Sequence, residues 1–173
     1  MAERTSSIYK QQSYRWGSLC LFVAAVTVLG ALAFEYMGGF KPCPLCLQQR
    51  YAYYVAIPVL FVALILLSAE RRGWSVALFF LTSLLFLANS AFGVFHAGAE
   101  WGYWAPPASC AAVAPLDAAP GNLLSALAQV DIIDCGTPEL VILGLSLAGW
   151  NAIISLCLCI GCLKAAFYAK DGA

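Results

Sequence analysis

Cys43-Pro44-Leu45-Cys46, followed four residues later by Arg50, is the stretch of this chain best suited to chemistry. A Cys-x-x-Cys pair can close and open a disulfide, which is a two-electron change. The pair stands where a short loop meets a long apolar run. A permanent charge inside such a run is expensive unless it pairs or serves a site. Together the three residues point to thiol redox chemistry at a membrane surface.

The local sequence says how they are held. Pro42 discourages helix just before Cys43, and Pro44 suits the first helical position, where its missing N–H costs nothing. Cys43 is therefore expected at a helix N-cap and Cys46 in the first turn. Cys43, Cys46 and Arg50 are spaced i, i+3, i+7, which puts them on one helix face. The positive helix end and the Arg50 charge should both favour a thiolate. The competing account is a static disulfide that staples the loop, with Arg50 reaching toward lipid phosphates.

The rest of the chain must supply the helix and the membrane. Of 173 residues, 62% are hydrophobic and 10% charged, against about 25% charged in soluble domains. Lys plus Arg and Asp plus Glu are nine each, and no basic cluster or nucleic-acid motif is present, so no nucleic-acid partner is expected. Apolar runs long enough to cross a bilayer, at roughly 20 residues each, cover about 16–34, 44–68, 74–95 and 140–163. The loops between them fall at about 35–43 and 96–139. The fold class expected is an all-α membrane protein, a single-domain bundle of four transmembrane helices. The first run follows Arg4, Lys10 and Arg15 and contains Ala31-Leu32-Ala33, the small-x-small form of a cleavage site. It exceeds the usual signal-peptide core of about 7–15 residues, so a retained helix is expected.

Lys and Arg set the orientation. Arg4, Lys10 and Arg15, then Arg71 and Arg72, then Lys164 and Lys170 share one side, which should be cytoplasmic. The segment from His96 to Glu139 has no Lys or Arg and should face outward, into the periplasm of a bacterial cell. Both termini would then be cytoplasmic.

This topology sorts the eight cysteines. Cys43, Cys46, Cys110 and Cys135 fall on the exterior, oxidising side, where disulfides persist. They can pair in three ways; sequence proximity favours Cys43–Cys46 and Cys110–Cys135. A Cys110–Cys135 bridge would contribute roughly 3 kcal/mol in the entropic model if purely structural. If mobile and exposed, it would be open to an attacking thiolate. Cys20, Cys157, Cys159 and Cys162 fall within helices, and Cys159-Ile160-Gly161-Cys162 reads as small buried side chains. No metal-ligand set is expected, since His96, the only histidine, lies on the other side from that pair. His96 and Glu100 are i, i+4 if the third helix continues, and could form a polar pair near a ligand. In the long loop, Trp101, Tyr103 and Trp104 suit the membrane interface. Asn122 could cap a short interfacial helix bearing Leu123, Leu124, Leu127 and Val130.

Lys41-Pro42-Cys43-Pro44-Leu45-Cys46 with Gln48-Gln49-Arg50 resembles the DsbB family of membrane thiol oxidases. So do residues 96–102 before Cys110 and residues 143–151 after Cys135. The resemblance spans nearly the whole chain. It implies a bacterial inner-membrane enzyme that reoxidises a soluble periplasmic DsbA-like dithiol oxidase and passes the electrons to quinone, ubiquinone or menaquinone. That route is the known source of oxidising power in the periplasm. By analogy Cys110 forms the mixed disulfide with the partner, Cys135 communicates with Cys43, and Cys46 faces the quinone with Arg50 in support. Arg50 and His96 are the candidate cofactor-binding residues. Two rivals are a vitamin K epoxide reductase-like enzyme and a tetraspanin-like scaffold with structural disulfides. In the first, the quinone-proximal Cys-x-x-Cys comes late in the core, whereas here it opens the second helix. The second gives no reason for Arg50.

Overall fold

The computed structural model describes residues 2–40, 42–107, 110, 135–138 and 140–171. Helix α1 spans Ala2–Tyr36, α2 Pro44–Ser68 and α3 Arg72–Glu100. A two-stranded hairpin, β1 Val141–Ile142 and β2 Leu145–Ser146, leads into α4, Leu147–Asp171. All four of these helices are long and apolar enough to cross a membrane. The all-α expectation therefore holds apart from the hairpin. The interfacial helix expected at residues 122–130 lies outside the described residues.

The helix ends differ from the apolar runs in ways the chemistry explains. Helix α1 starts well before Trp16, because Lys10, Arg15 and their neighbours form helix without being apolar. Helix α3 continues past Phe95 to Glu100, which places His96 and Glu100 on successive turns. Helix α4 begins at Leu147 rather than near Leu140. Leu143 and Gly144 have φ of 54° and 83°, the positive pair that a tight two-residue hairpin turn demands. Val141 pairs antiparallel with Ser146 and Ile142 with Leu145. The Trp150 indole N–H donates to Ile142 O at 2.9 Å and ties this hairpin to α4.

Small residues and hydroxyls fill much of the interior around a few large side chains, Leu60, Leu67, Phe79 and Phe86, and many large apolar side chains face outward. Phe22, Leu29, Phe61, Leu81 and Phe167 are all exposed, the pattern of a surface solvated by lipid tails. Close approach replaces the hydrophobic effect as the source of helix association in such a solvent. Gly93 on α3 shows it: a Cβ there would stand 3.0 Å from the Ala152 backbone of α4. Buried hydroxyls find carbonyls across the interfaces, as they must without water. Ser13 donates to Ala165 O at 2.8 Å, Ser75 to Ala63 O at 2.9 Å and Ser90 to Ala152 O at 2.8 Å. Cys20, Cys159 and Cys162 are buried in the same core between α1 and α4, in line with the reading of Cys159 and Cys162 as small buried side chains.

The two ends of the bundle carry the charges. At one end Lys10 of α1 and Arg72 of α3 both pair with Glu70 in the α2–α3 turn. At the other end lie Glu35, Arg50, His96 and Glu100. There Trp104 stacks on Phe95 with centroids 5.6 Å apart and lies directly over Gly98, where no side chain would fit. Trp101 and Tyr103 beside it are exposed, as interfacial aromatics are.

Candidate active site

Cys43 caps α2. Its backbone is extended, with φ −68° and ψ 161°, and its sulfur accepts a hydrogen bond from the Cys46 N–H at 3.3 Å. Pro44 occupies the first helical turn. The two sulfurs lie 3.0 Å apart, unbonded. Cys110 and Cys135 are joined in a disulfide. The two pairs are neighbours: Cys43, Leu45, Cys110 and Cys135 pack as one buried cluster, flanked by Cys46 and Phe92. Cysteines 64 to 92 positions apart in sequence thus meet at one end of the bundle. Cys110 is only 4% exposed, so it must turn outward to meet a thiol from another protein.

His96 comes from α3 to complete the group. Its Nε2 lies 3.6 Å from Cys43 Sγ and 3.8 Å from Glu100 Oε1. Gln49 Nε2 lies 2.9 Å from its other nitrogen, Nδ1. The Glu100 side chain is only 7% exposed, and its Oε2 has no hydrogen-bond partner among the described residues. Ligand atoms of Cys43, Cys46 and His96 fall within 4.8 Å of one another, so the structure groups the histidine with a cysteine pair other than the one weighed from sequence.

Arg50 does not act on Cys43 as the spacing predicted. Its guanidinium turns to α1, where it pairs with Glu35 and approaches Ala31 O at 3.5 Å. The Cys43 thiol is nevertheless pulled down from 9.0 to about 4. The Cys46 thiol that hydrogen-bonds it is the main cause. Burial opposes the shift, and His96 and the Cys46 N–H reinforce it. Because the folded value is depressed, the stability it gives the dithiol form is complete above about pH 9 and is lost as pH falls through about 4. In the reduced protein, alkylation at Cys43 should hold its rate from neutral pH down to about pH 5 and fall near pH 4. Peptide-level mass spectrometry of iodoacetamide-treated samples measures this. A rate that rises steadily between pH 7 and 9 would show an ordinary thiol.

A cavity of about 370 Å³ opens beside the cysteines, between α1, α2 and α4. Val28, Phe34, Phe40, Leu147 and Ile154 give it apolar walls, and Cys46, Gln49, Arg50 and His96 line its polar part. Cys43, Glu100 and Cys135 also reach it. Five of the six site residues expected from sequence therefore share one cavity, Cys110 standing behind Cys135 through their disulfide. Sequence reasoning missed Glu35, Gln49, Asn151 and Tyr53. A polar residue on an apolar helix was the available signal for Asn151, which donates to Gln49 Oε1 at 2.6 Å.

The family of disulfide bond formation protein DsbB matches residues 13–165. The chain belongs to the DsbB family. It is 35% identical over 160 residues to disulfide bond formation protein B 1 of Pseudomonas putida, covering 88% of each chain. It is 27% identical over 154 residues to disulfide bond formation protein B of Cupriavidus metallidurans, covering 84% of this chain and 90% of the relative. Uncharacterized protein RP370 of Rickettsia prowazekii is 26% identical over 170 residues, 96% of each chain. No solved structure matches the chain. A DsbB-family protein with these helices is a multi-pass membrane protein and a disulfide-generating oxidoreductase.

Proposed function

We propose that this DsbB-family protein oxidises a periplasmic DsbA-like thiol oxidase and passes the electrons to quinone in the bacterial inner membrane. The observation that carries the reading is the adjacency of two cysteine pairs at the polar end of an apolar cavity. One pair is needed to meet a soluble protein and the other a lipid-soluble oxidant. The cavity fits a quinone: apolar walls suit an isoprenoid tail, while Arg50 offers donors to a ring oxygen and His96 lines the same polar wall. When bound, quinone supplies the acceptor for two electrons and two protons.

The protein's own residues carry the thiol steps. A partner thiolate attacks Cys110 Sγ, the Cys110–Cys135 bond breaks, and Cys135 leaves as thiolate. The partner's second thiolate displaces Cys110, and the partner departs as a disulfide. Cys135 then attacks Cys43 of an oxidised Cys43–Cys46 pair and expels Cys46. Attack by Cys110 on Cys135 restores the Cys110–Cys135 bond and leaves Cys43 and Cys46 as a dithiol. Two electrons and two protons then leave that dithiol and its disulfide re-forms. A low-lying Cys43 thiolate suits Cys43 as the group expelled when its bonds to sulfur break.

On this reading, the Lys- and Arg-bearing end of the bundle and both termini are cytoplasmic and the cysteine end is periplasmic. The deciding experiment mixes purified protein, reduced DsbA-type partner and a soluble ubiquinone, and follows quinone absorbance. One quinone should be consumed per partner disulfide formed, and a menaquinone run in parallel identifies the preferred oxidant. Partner oxidation without quinone loss, or no partner oxidation at all, would reject the proposal.

A further inference from the structure

A neutral imidazole carries one ring proton, and its neighbours decide which nitrogen holds it. An amide nitrogen can only donate. Gln49 Nε2 therefore donates to His96 Nδ1 at 2.9 Å, and Nδ1 must be bare. The orientation of Gln49 is fixed in turn. Asn151 Nδ2 donates to Gln49 Oε1 at 2.6 Å, and Tyr53 OH donates to Asn151 Oδ1 at 2.7 Å. Asn89 Nδ2 donates at 2.9 Å to Ser155 Oγ, which stands 3.1 Å from the same Tyr53 hydroxyl. Every donor from Tyr53 onward points the same way, through α4 and α2 to the ring on α3. The chain ends on Nε2–H, which faces Cys43 Sγ at 3.6 Å. Glu100 Oε1, at 3.8 Å, is out of hydrogen-bond reach.

We propose that Tyr53, Asn151 and Gln49 are positioning residues that hold His96 as an Nε2–H donor aimed at the Cys43 sulfur. Neither Tyr53 nor Asn151 contacts Cys43; they act through Gln49 and the ring. The directed N–H stabilises negative charge on Cys43 whenever the pair is a dithiol. It also opposes a metal at Cys43, Cys46 and His96, because a metal needs Nε2 bare. The inference rests on the Cys43–His96 geometry and not on the identity of the oxidant, so failure of quinone reduction would leave it standing.

His96 is the sole histidine, so ¹⁵N-histidine labelling reports one ring. The spectrum of the reduced protein in mildly alkaline buffer should show a protonated Nε2 and a bare Nδ1. A proton on Nδ1 in the wild type would overturn the proposal. Asn151→Leu frees the Gln49 amide to turn over and should give a mixture of tautomers. Tyr53→Phe removes one hydroxyl, with a smaller risk to folding, and should shift the ring partway in the same direction. An unchanged Nε2–H signal in both folded variants would remove Tyr53 and Asn151 from the chain. The pH below which Cys43 alkylation falls should rise by about one unit in Asn151→Leu, the roughly tenfold that one hydrogen bond to an ion is worth. Tight Zn²⁺ binding through Nε2 of the reduced wild type would also count against it.

Discussion

Serine at Cys43 or at Cys46 should abolish quinone reduction by a reduced partner, down to the uncatalysed background. The change is one atom, sulfur to oxygen, and an alcohol neither ionises near neutral pH nor forms a disulfide. The fold should not suffer. Cys43 is an N-cap whose side chain accepts from the Cys46 N–H, and serine is among the preferred residues for that task. The two variants should also stop at different steps. Cys46→Ser keeps Cys43, whose thiolate can attack Cys135 of the Cys110–Cys135 disulfide and expel Cys110, so a Cys43–Cys135 bond can form and accumulate. Cys43→Ser leaves Cys135 nothing to attack, so one round of partner oxidation leaves Cys110 and Cys135 reduced. Peptide mapping under non-reducing conditions separates these outcomes, and quinone absorbance gives the rate. Normal catalytic turnover by either variant would sink the relay.

The parts legible in the sequence were those set by local rules. Pro42 and Pro44 around Cys43 placed the N-cap and the start of α2 correctly, because proline restricts backbone on both sides of itself. Apolar length gave the spans, since a bilayer fixes how much chain must be apolar. The α4 boundary failed because Val141 to Leu147 is as apolar as the helix it precedes. What separates them is a turn at Leu143 and Gly144, and leucine gives no turn signal. The site was half legible. The four cysteines and His96 stood out by type, but their convergence depends on how three helices dock. Arg50 was read as facing the sulfurs because i, i+3, i+7 spacing fixes a face and not the direction of a long side chain. Its true neighbour, Glu35, sits one residue beyond the run assigned to the first span. The buried chain from Tyr53 to His96 was invisible for a similar reason. Its members lie on α2, α3 and α4, and each alone is an ordinary polar residue in an apolar helix.

Arg50→Ala should raise the KM for quinone about tenfold, the worth of a lost charged hydrogen bond, and should also loosen α1 from α2. The two effects have different causes and can be separated. Arg50 lines the cavity and at the same time pairs with Glu35, the side chains being 13% and 25% exposed. Removing the guanidinium strands a carboxylate in a half-buried site. That should cost about 1–2 kcal/mol, less than for a fully buried pair because Glu35 retains access to solvent. The double variant Arg50→Ala, Glu35→Ala removes the stranded charge, so thermal stability should return most of the way to wild type. Quinone affinity should not return, because the donor facing the cavity is still missing. Arg50→Lys keeps the charge but not the planar fork that can serve Glu35 and a ring oxygen together, so it should fall between. If the double variant restores KM together with stability, Arg50 is a tie between α1 and α2 and nothing more. If KM stays high in a stable double variant, the arginine that breaks the apolar run at the start of α2 is there for the oxidant.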